Sequence, residues 1–337
     1  MKRSARRKFK KNKPSKIFIG IVALVILICL IILGKSISFI SSLNKPLSPD
    51  SAVIYKPTNW NGRGVINTAI LADKNYILSF NPYQKSLLVL KIPDETYLSV
   101  PFNFGKWSLG SVYKLGQSES APMGASLYKK TLEENLGIPI NGYIIDQKDK
   151  QSFEKTLETL RQNPLENISF LRKVKTDLSF LEYWKLFWSL KGVRFDKVKI
   201  LDLGDSDLTS WTILRDGSRV ISLDQDELDN YIQKYFADSK ITDEGLSIGV
   251  YNTTDHSGLA EKAARLIENM GGRVVFIANS KSHLDQSIVL GTKSYTFDIL
   301  NRIFGQNLSS KPQNLDSSRA DINLFLGEDY FMKYNSK

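Results

Sequence analysis

The sequence predicts an α/β protein: a single N-terminal transmembrane helix, then a mixed α/β domain, then a small C-terminal α/β domain of order β-α-β-β-α-β. Three observations carry that reading. The first sixteen residues hold nine Lys or Arg and no acid, and an uncharged apolar run over 17–33 follows at once. From residue 61 onward, short apolar runs of strand length alternate with stretches of helical spacing. A polar stretch at 237–244 then separates this part from a last, more regular series.

The apolar run of seventeen residues spans about 26 Å as a helix, near the lower limit for a hydrocarbon core of about 30 Å. Lys35 can snorkel to the interface, which extends the predicted span to 17–40. Residues 1–16 form a basic tail, and the positive-inside rule puts it in the cytoplasm, with the bulk of the chain outside. A cleaved signal would need a shorter apolar core and a small-residue site, yet no Ala follows Ala23 until Ala52. Cys29, the single cysteine, follows bulky Ile28 mid-run and reads as an apolar filler rather than a lipidation site. The localisation expected is therefore a single-pass cell-membrane protein, with membrane lipids among its partners. The net charge of +11 is mostly this tail's nine, which leaves about +2 and no nucleic-acid-binding stripe. With no cysteine beyond the anchor, the outer part folds on its apolar core.

Residues 41–60, rich in Ser and Pro, read as a stalk. Strands are predicted at 65–72, 76–80, 86–92 and 96–100, with a hairpin turn at 81–85. A helix follows over 124–136, stopped by Gly137, then a strand over 138–145. Helices over 150–162 and 180–190 come next. The second carries Tyr183, Trp184, Phe187 and Trp188 and reads as a buried helix or one lying across the sheet, with a membrane-surface role as the alternative. Strands over 197–203 and 210–223 follow, the latter folded back at Asp216-Gly217. Ser222 to Gln225 resembles a capping box for a helix with Leu228, Ile232 and Phe236 on one face. This domain spans 61–236.

Residues 237–244 read as a linker, and 245–333 as the C-terminal domain. Its strands fall at 246–251, 273–278, 287–290 and 321–326, and its helices at 258–270 and 295–304. Glu261 and Arg265 are expected to pair at i,i+4. Ser257 is the expected helix cap. The loop from Asn252 through Ser257 to Gly258 leads into a helix N-terminus, whose free N–H groups can bind an anion, or which is simply well capped. His256 and His283 have no metal-ligand spacing and read as polar surface residues.

The run IGVYNTTDHSGLAEKAARLIENMGGRVVFIANS and the closing DINLFLGEDY together resemble the LytR C-terminal domain. More weakly, ILSFNPYQKSLLVLKIPDETYLSVP and LYKKTLEENLGIPINGYIIDQ resemble the LytR-CpsA-Psr catalytic domain. That resemblance implies an extracytoplasmic protein that handles wall glycopolymers on a polyprenyl-pyrophosphate carrier, with Mg²⁺, carboxylates and arginines holding the pyrophosphate.

The departures matter more. The family's Pro-Arg-Asp-Thr stands here as Pro93-Asp94-Glu95-Thr96, so an acid replaces the phosphate-binding Arg and repels pyrophosphate. The family's earlier acidic loop is collapsed to Ala72-Asp73-Lys74-Asn75, where Asp73 stands for either of its aspartates. Arg161, Arg172 and Lys173 fall where an Arg-rich segment belongs, without its motif. The expectation is a degenerate relative, a non-catalytic binding or scaffolding protein of the cell envelope, whose partner is a wall glycopolymer or its attachment machinery. It needs no cofactor. The alternative is a Mg²⁺-dependent glycopolymer phosphotransferase, with Asp73 and Glu95 as catalytic groups and Asp73 and Asp94 as metal ligands. For both, the same residues read equally as solvated loop acids.

Overall fold

The apolar runs that form β1 (Ile66–Leu71), β2 (Asn75–Asn81) and β3 (Ser86–Ile92) are buried almost throughout, so they lack the polar alternation of half-exposed strands. The structure, a computed structural model, describes residues 35, 42–48, 59–120, 123–146, 152–163, 166–305 and 319–335. Of residues 17–40, where the sequence places the membrane span, only Lys35 lies within them. Among the described residues no helix is long and apolar enough to cross a membrane.

β1–β3 form an antiparallel meander in which Asn81 opposes Ser86 across the expected turn. Asn81 Oδ1 accepts from the N–H groups of Tyr83 and Gln84, which closes that turn. β6 (Gly142–Ile145) adds parallel to β1, and β8 (Val198–Asp202) parallel to β3. With β7 (Lys175–Thr176) the six-stranded order is β7-β6-β1-β2-β3-β8.

Helices cover both faces. On one lie α1 (Leu109–Glu119), α2 (Met123–Leu136) and α6 (Gln225–Phe236), closing a core with Ile77, Leu90 and Tyr143. On the other lie α3 (Phe153–Gln162) and α5 (Phe180–Leu190), packed on Ile70, Leu78 and Val89, and α4 (Glu166–Leu171) follows α3. Tyr183, Leu186, Phe187 and Leu190 of α5 are buried, as a helix lying across the sheet requires. Two hairpins sit beside the sheet: β4 (Tyr97–Val100) with β5 (Gly105–Ser108), and β9 (Thr209–Ile213) with β10 (Arg219–Leu223).

Several local expectations are corrected. β5 and α1 occupy a stretch to which the sequence reading assigns no element, and the strand expected over 138–145 begins only at Gly142. The capping box is not at Ser222, which is inside β10. Asp224 caps α6, accepting from the N–H groups of Asp226 and Glu227. A full capping box opens α5 instead, between Ser179 and Glu182. The expected stalk is partly built into the domain. Leu47 N–H donates to the Leu178 carbonyl, Ser48 N–H to that of Thr176, and Trp60 is buried. The expected linker is folded as well, as α7 (Ser239–Glu244). Asp238 caps it, and Glu244 accepts from the N–H groups of Tyr295 and Thr296.

The C-terminal lobe has the expected order: β11 (Ser247–Asn252), α8 (Leu259–Asn269), β12 (Arg273–Asn279), β13 (Ile288–Gly291), α9 (Tyr295–Ile303) and β14 (Ile322–Leu326), then α10 (Glu328–Asn335). Its sheet runs β12-β11-β14-β13, with only the β13–β14 pair antiparallel.

Arg265 does not pair with Glu261. Its guanidinium reaches back to the first lobe and grips Asp229 of α6 through Nε and Nη2, both at 2.7 Å. The same group donates to the last carbonyls of α2, Glu134 at 2.8 Å and Asn135 at 2.7 Å. Those carbonyls are among the groups a helix end leaves unmatched. The approach requires glycine at 137: its φ is +60°, and a Cβ there would lie 2.6 Å from Asn269 Nδ2 and 2.9 Å from Arg265 Cζ. Arg265→Ala takes the cation from a part-buried carboxylate that keeps only the Asn269 and Gln225 amides, removes a donor from two helix-end carbonyls, and should lower stability by about 2–4 kcal/mol. Urea unfolding followed by two probes checks this. A loss under about 0.5 kcal/mol would reduce the contact to an ordinary surface pair.

Candidate functional site

The chain leaves β3 at Ile92 and passes through Pro93-Asp94-Glu95-Thr96 before starting β4. The backbone of this tetrapeptide joins three elements. Gly110 N–H donates to the Asp94 carbonyl at 3.0 Å and Leu109 N–H to that of Thr96 at 2.9 Å, so the motif caps the start of α1. Ile221 N–H donates to the Glu95 carbonyl at 3.0 Å, which seats β10 against the same turn. Gly110 is needed for this: a Cβ there would meet the Asp94 Cβ at 3.0 Å. Thr96 is fully buried, and its hydroxyl has no partner.

With the backbone committed, the side chains of Asp94 and Glu95 face a cleft of about 620 Å³ between the two hairpins and the start of α1. Trp107, Lys106 and Ser108 come from β5, Asp216 and Arg219 from the β9–β10 hairpin, and Ser111 from α1. The indole of Trp107 is 41 % exposed and its Nε1 donates to the Phe104 carbonyl, which fixes the ring. The loop carrying it has two consecutive left-handed residues, Phe102 and Asn103, each at φ 62°. Such a pair is strained for Phe, and burial of its ring under the Lys130 ammonium, 4.5 Å away, holds it there. The cleft thus offers one aromatic face, hydroxyls and charges of both signs. It presents no arginine cluster of the kind that clamps a pyrophosphate.

Burial pushes the Asp94 carboxyl above its ordinary range; Lys74 opposes this, Glu95 adds to it, the Asn75 amide opposes it and Asp73 adds a smaller push. Asn75 Nδ2 donates to Asp94 Oδ1 at 2.6 Å. Hydrogen bonds from Ser218 hold Asp216, on the exposed turn, below its ordinary value.

Of the acids named from the sequence, Asp73 lies near enough to Asp94 to add to the push on its carboxyl. Asp94 and Glu95 line the cleft, whereas Asp73 does not. Its Oδ1 accepts the Phe153 N–H at 2.9 Å, at the first residue of α3, and its carboxylate accepts the Tyr76 hydroxyl. A carboxylate there is stabilised by the helix dipole, so Asp73 has a structural task. Among the described residues no group of three or more His, Cys, Asp or Glu side chains is arranged to hold a metal ion. The donor set of Asp73 and Asp94, each already hydrogen-bonded, does not fit a Mg²⁺ site. Arg161 donates to the carbonyls of Leu190 and Val193 and so caps the end of α5.

In the C-terminal lobe, Asn252 is engaged inside its own loop. Its Nδ2 donates to the His256 carbonyl and its Oδ1 accepts from Thr254 N–H and Oγ1. Ser257 is exposed and does not cap α8; the N-cap is Gly258, at φ 81°, with no side-chain cap. His256 and His283 both face Glu328, at 3.2 and 3.5 Å.

Residues 245–330 match the family described as LytR cell envelope-related transcriptional attenuator. They are a LytR C-terminal domain. This domain, β11 through the start of α10, is the lobe that Arg265 ties to α2 and α6. The chain is 25 % identical over 161 residues to the polyisoprenyl-teichoic acid–peptidoglycan teichoic acid transferase TagU of Oceanobacillus iheyensis, covering 42 % of this chain and 50 % of that protein. The chain thus spans about half the length of the curated relative it matches. Among solved structures, TagT of B. subtilis gives a TM-score of 0.38 at 17 % identity, covering 56 % of this chain and 94 % of that one. TagV of B. subtilis gives 0.41 at 12 % identity, covering 63 % and 99 %.

The sequence pointed to Asp94 and Glu95 through their motif but missed Trp107, Lys106 and Arg219, which lie on hairpins far from it. The helical spacing of Leu109, Val112, Tyr113 and Gly116 was the available signal for α1, whose start completes the cleft. Because the folded-state pKa of Asp94 is raised, the native state holds its proton more tightly than the unfolded chain. Stability from that proton is present at low pH and is lost as pH rises through the raised value. Asp94→Asn should therefore be as stable as the parent, or more so, at pH 7 by chemical denaturation. A loss above about 1 kcal/mol would make the carboxylate a structural group.

Proposed function

We propose that this chain is a membrane-anchored, extracytoplasmic cell-envelope protein that binds a wall glycopolymer without transferring it. Residues 17–40 insert as a single span, with the basic tail in the cytoplasm. The cleft beside Pro93-Asp94-Glu95-Thr96 receives the saccharide units. The observation that carries this reading is the make-up of the cleft: Asp94, its carboxyl raised by burial, stands where the resembled motif has its phosphate-binding Arg, with Glu95 beside it. Two negative side chains repel a pyrophosphate, whereas they accept hydrogen bonds from sugar hydroxyls.

Trp107 supplies the apolar face on which a sugar ring stacks, and Lys106 and Arg219 meet anionic substituents of the polymer. The relative TagU, a teichoic acid transferase acting on peptidoglycan, supplies the class of ligand. A metal-dependent transferase would need its acids gathered at one point, and Asp73 is instead held at the start of α3.

Calorimetry with purified wall teichoic acid, on the full chain in nanodiscs, tests the reading. Trp107→Ala should weaken binding about tenfold or more, and Arg219→Ala should weaken it less. Binding untouched by either change would remove the polymer from this cleft.

A further inference from the structure

The outward face of α5 carries a stripe that the fold leaves uncovered. Its inward face, Tyr183, Leu186, Phe187 and Leu190, is part of the core. Outward, Phe180, Trp184 and Trp188 recur every fourth residue and stack in series, with centroids 6.3 and 5.5 Å apart. Trp188 is 55 % exposed, and Phe195, just past the helix, is 87 % exposed. A helix that is apolar all round is normally covered all round, and an exposed aromatic patch marks a docking surface.

Two observations identify what covers it. The first is where the chain joins the folded body. Pro46 bridges to Ser179, the N-cap of α5, and Leu47 donates to the Leu178 carbonyl at 3.1 Å. Five residues separate Ile40 from Pro46, six steps that extended chain covers in at most about 20 Å. The stripe therefore starts one residue from the point to which the anchoring segment is tethered. The second observation is charge. Between residues 172 and 199 the chain has eight Lys or Arg against three acids. Two of those acids, Asp177 and Glu182, are buried and hydrogen-bonded within the fold. Lys185, Lys191 and Lys197 are exposed beside the rings, as is Arg194, which pairs with Asp196. Aromatic rings flanked by Lys and Arg suit the boundary between lipid headgroups and acyl chains.

We propose that the Phe180, Trp184, Trp188 stripe, together with Phe195, docks on the outer surface of the membrane in which residues 17–40 are inserted. The proposal rests on the anchor reading given above. The rings seat at the headgroup–acyl boundary, and the flanking cations meet lipid phosphates. Docking holds the first lobe in one orientation over the bilayer, where a chain tethered only at its end would tumble.

The test uses the full chain reconstituted in vesicles of phosphatidylglycerol and phosphatidylethanolamine, with acyl chains either brominated or plain. Bromine quenches indole emission only at close range. The five tryptophans are Trp60, Trp107, Trp184, Trp188 and Trp211, none of them within 17–40. The chain should float with salt-washed vesicles and lose emission in the brominated ones. The double variant Trp184→Phe, Trp188→Phe should float equally and lose nearly all of the bromine-dependent quenching. Trp211→Phe should keep it. A chain that floats but ignores bromine, or whose quenching survives the double change, overturns the docking and leaves the anchor standing. A chain that fails to float overturns the anchor, and the docking with it.

Discussion

The cleft end of the molecule depends on the backbone of Pro93-Asp94-Glu95-Thr96. Its carbonyls receive the first N–H groups of α1 and one from β10, so sheet, helix and second hairpin meet at four residues. None of those bonds uses a side chain. The side chain at 94 can therefore change from base to acid, or back, while the junction stays closed. That separation lets the fold persist whatever side chains stand at 94 and 95. The fold needs the main chain here and the chemistry needs the side chains.

The same separation governs the groups around it. Asp73, an acid the motif comparison marks for chemistry, is taken up by the start of α3 and the Tyr76 hydroxyl. Arg161 closes the end of α5 rather than gripping a phosphate. The cleft offers a fixed indole, hydroxyls and mixed charge, the groups that the proposed polymer binding uses. The LytR C-terminal domain is fastened to the end of α2 and to Asp229 of α6 through Arg265, so the two lobes form one body behind that surface.

Much of this was legible in the sequence because the dominant signals were local. The three central strands read as apolar runs, the turns at 81–85 and Asp216-Gly217 read from their residues, and the β-α-β-β-α-β order of the last lobe read from its periodicity. Local signals misled where tertiary bonds override them. Arg265 has a helical neighbour four residues back but spends its guanidinium on Asp229, 36 positions away. Residues 237–244 are polar because Asp238 and Glu244 cap helices, not because they form a free linker. Ser and Gly within Gly105 to Ser120 mask the helical spacing of α1. For the same reason the acids of the cleft could be named from their motif, whereas Trp107 and Arg219 could not: nothing in the linear chain states that two hairpins more than a hundred residues apart face one another.

The central claim is that this junction keeps the fold and a binding cleft while giving up group transfer. The most direct measurement is turnover of a polyprenyl-pyrophosphate-linked glycopolymer analogue by the full chain with Mg²⁺ and a peptidoglycan acceptor. A retained cleft without transfer chemistry predicts polymer binding and no product. Product that forms with the parent chain and disappears with Asp94→Asn would contradict it.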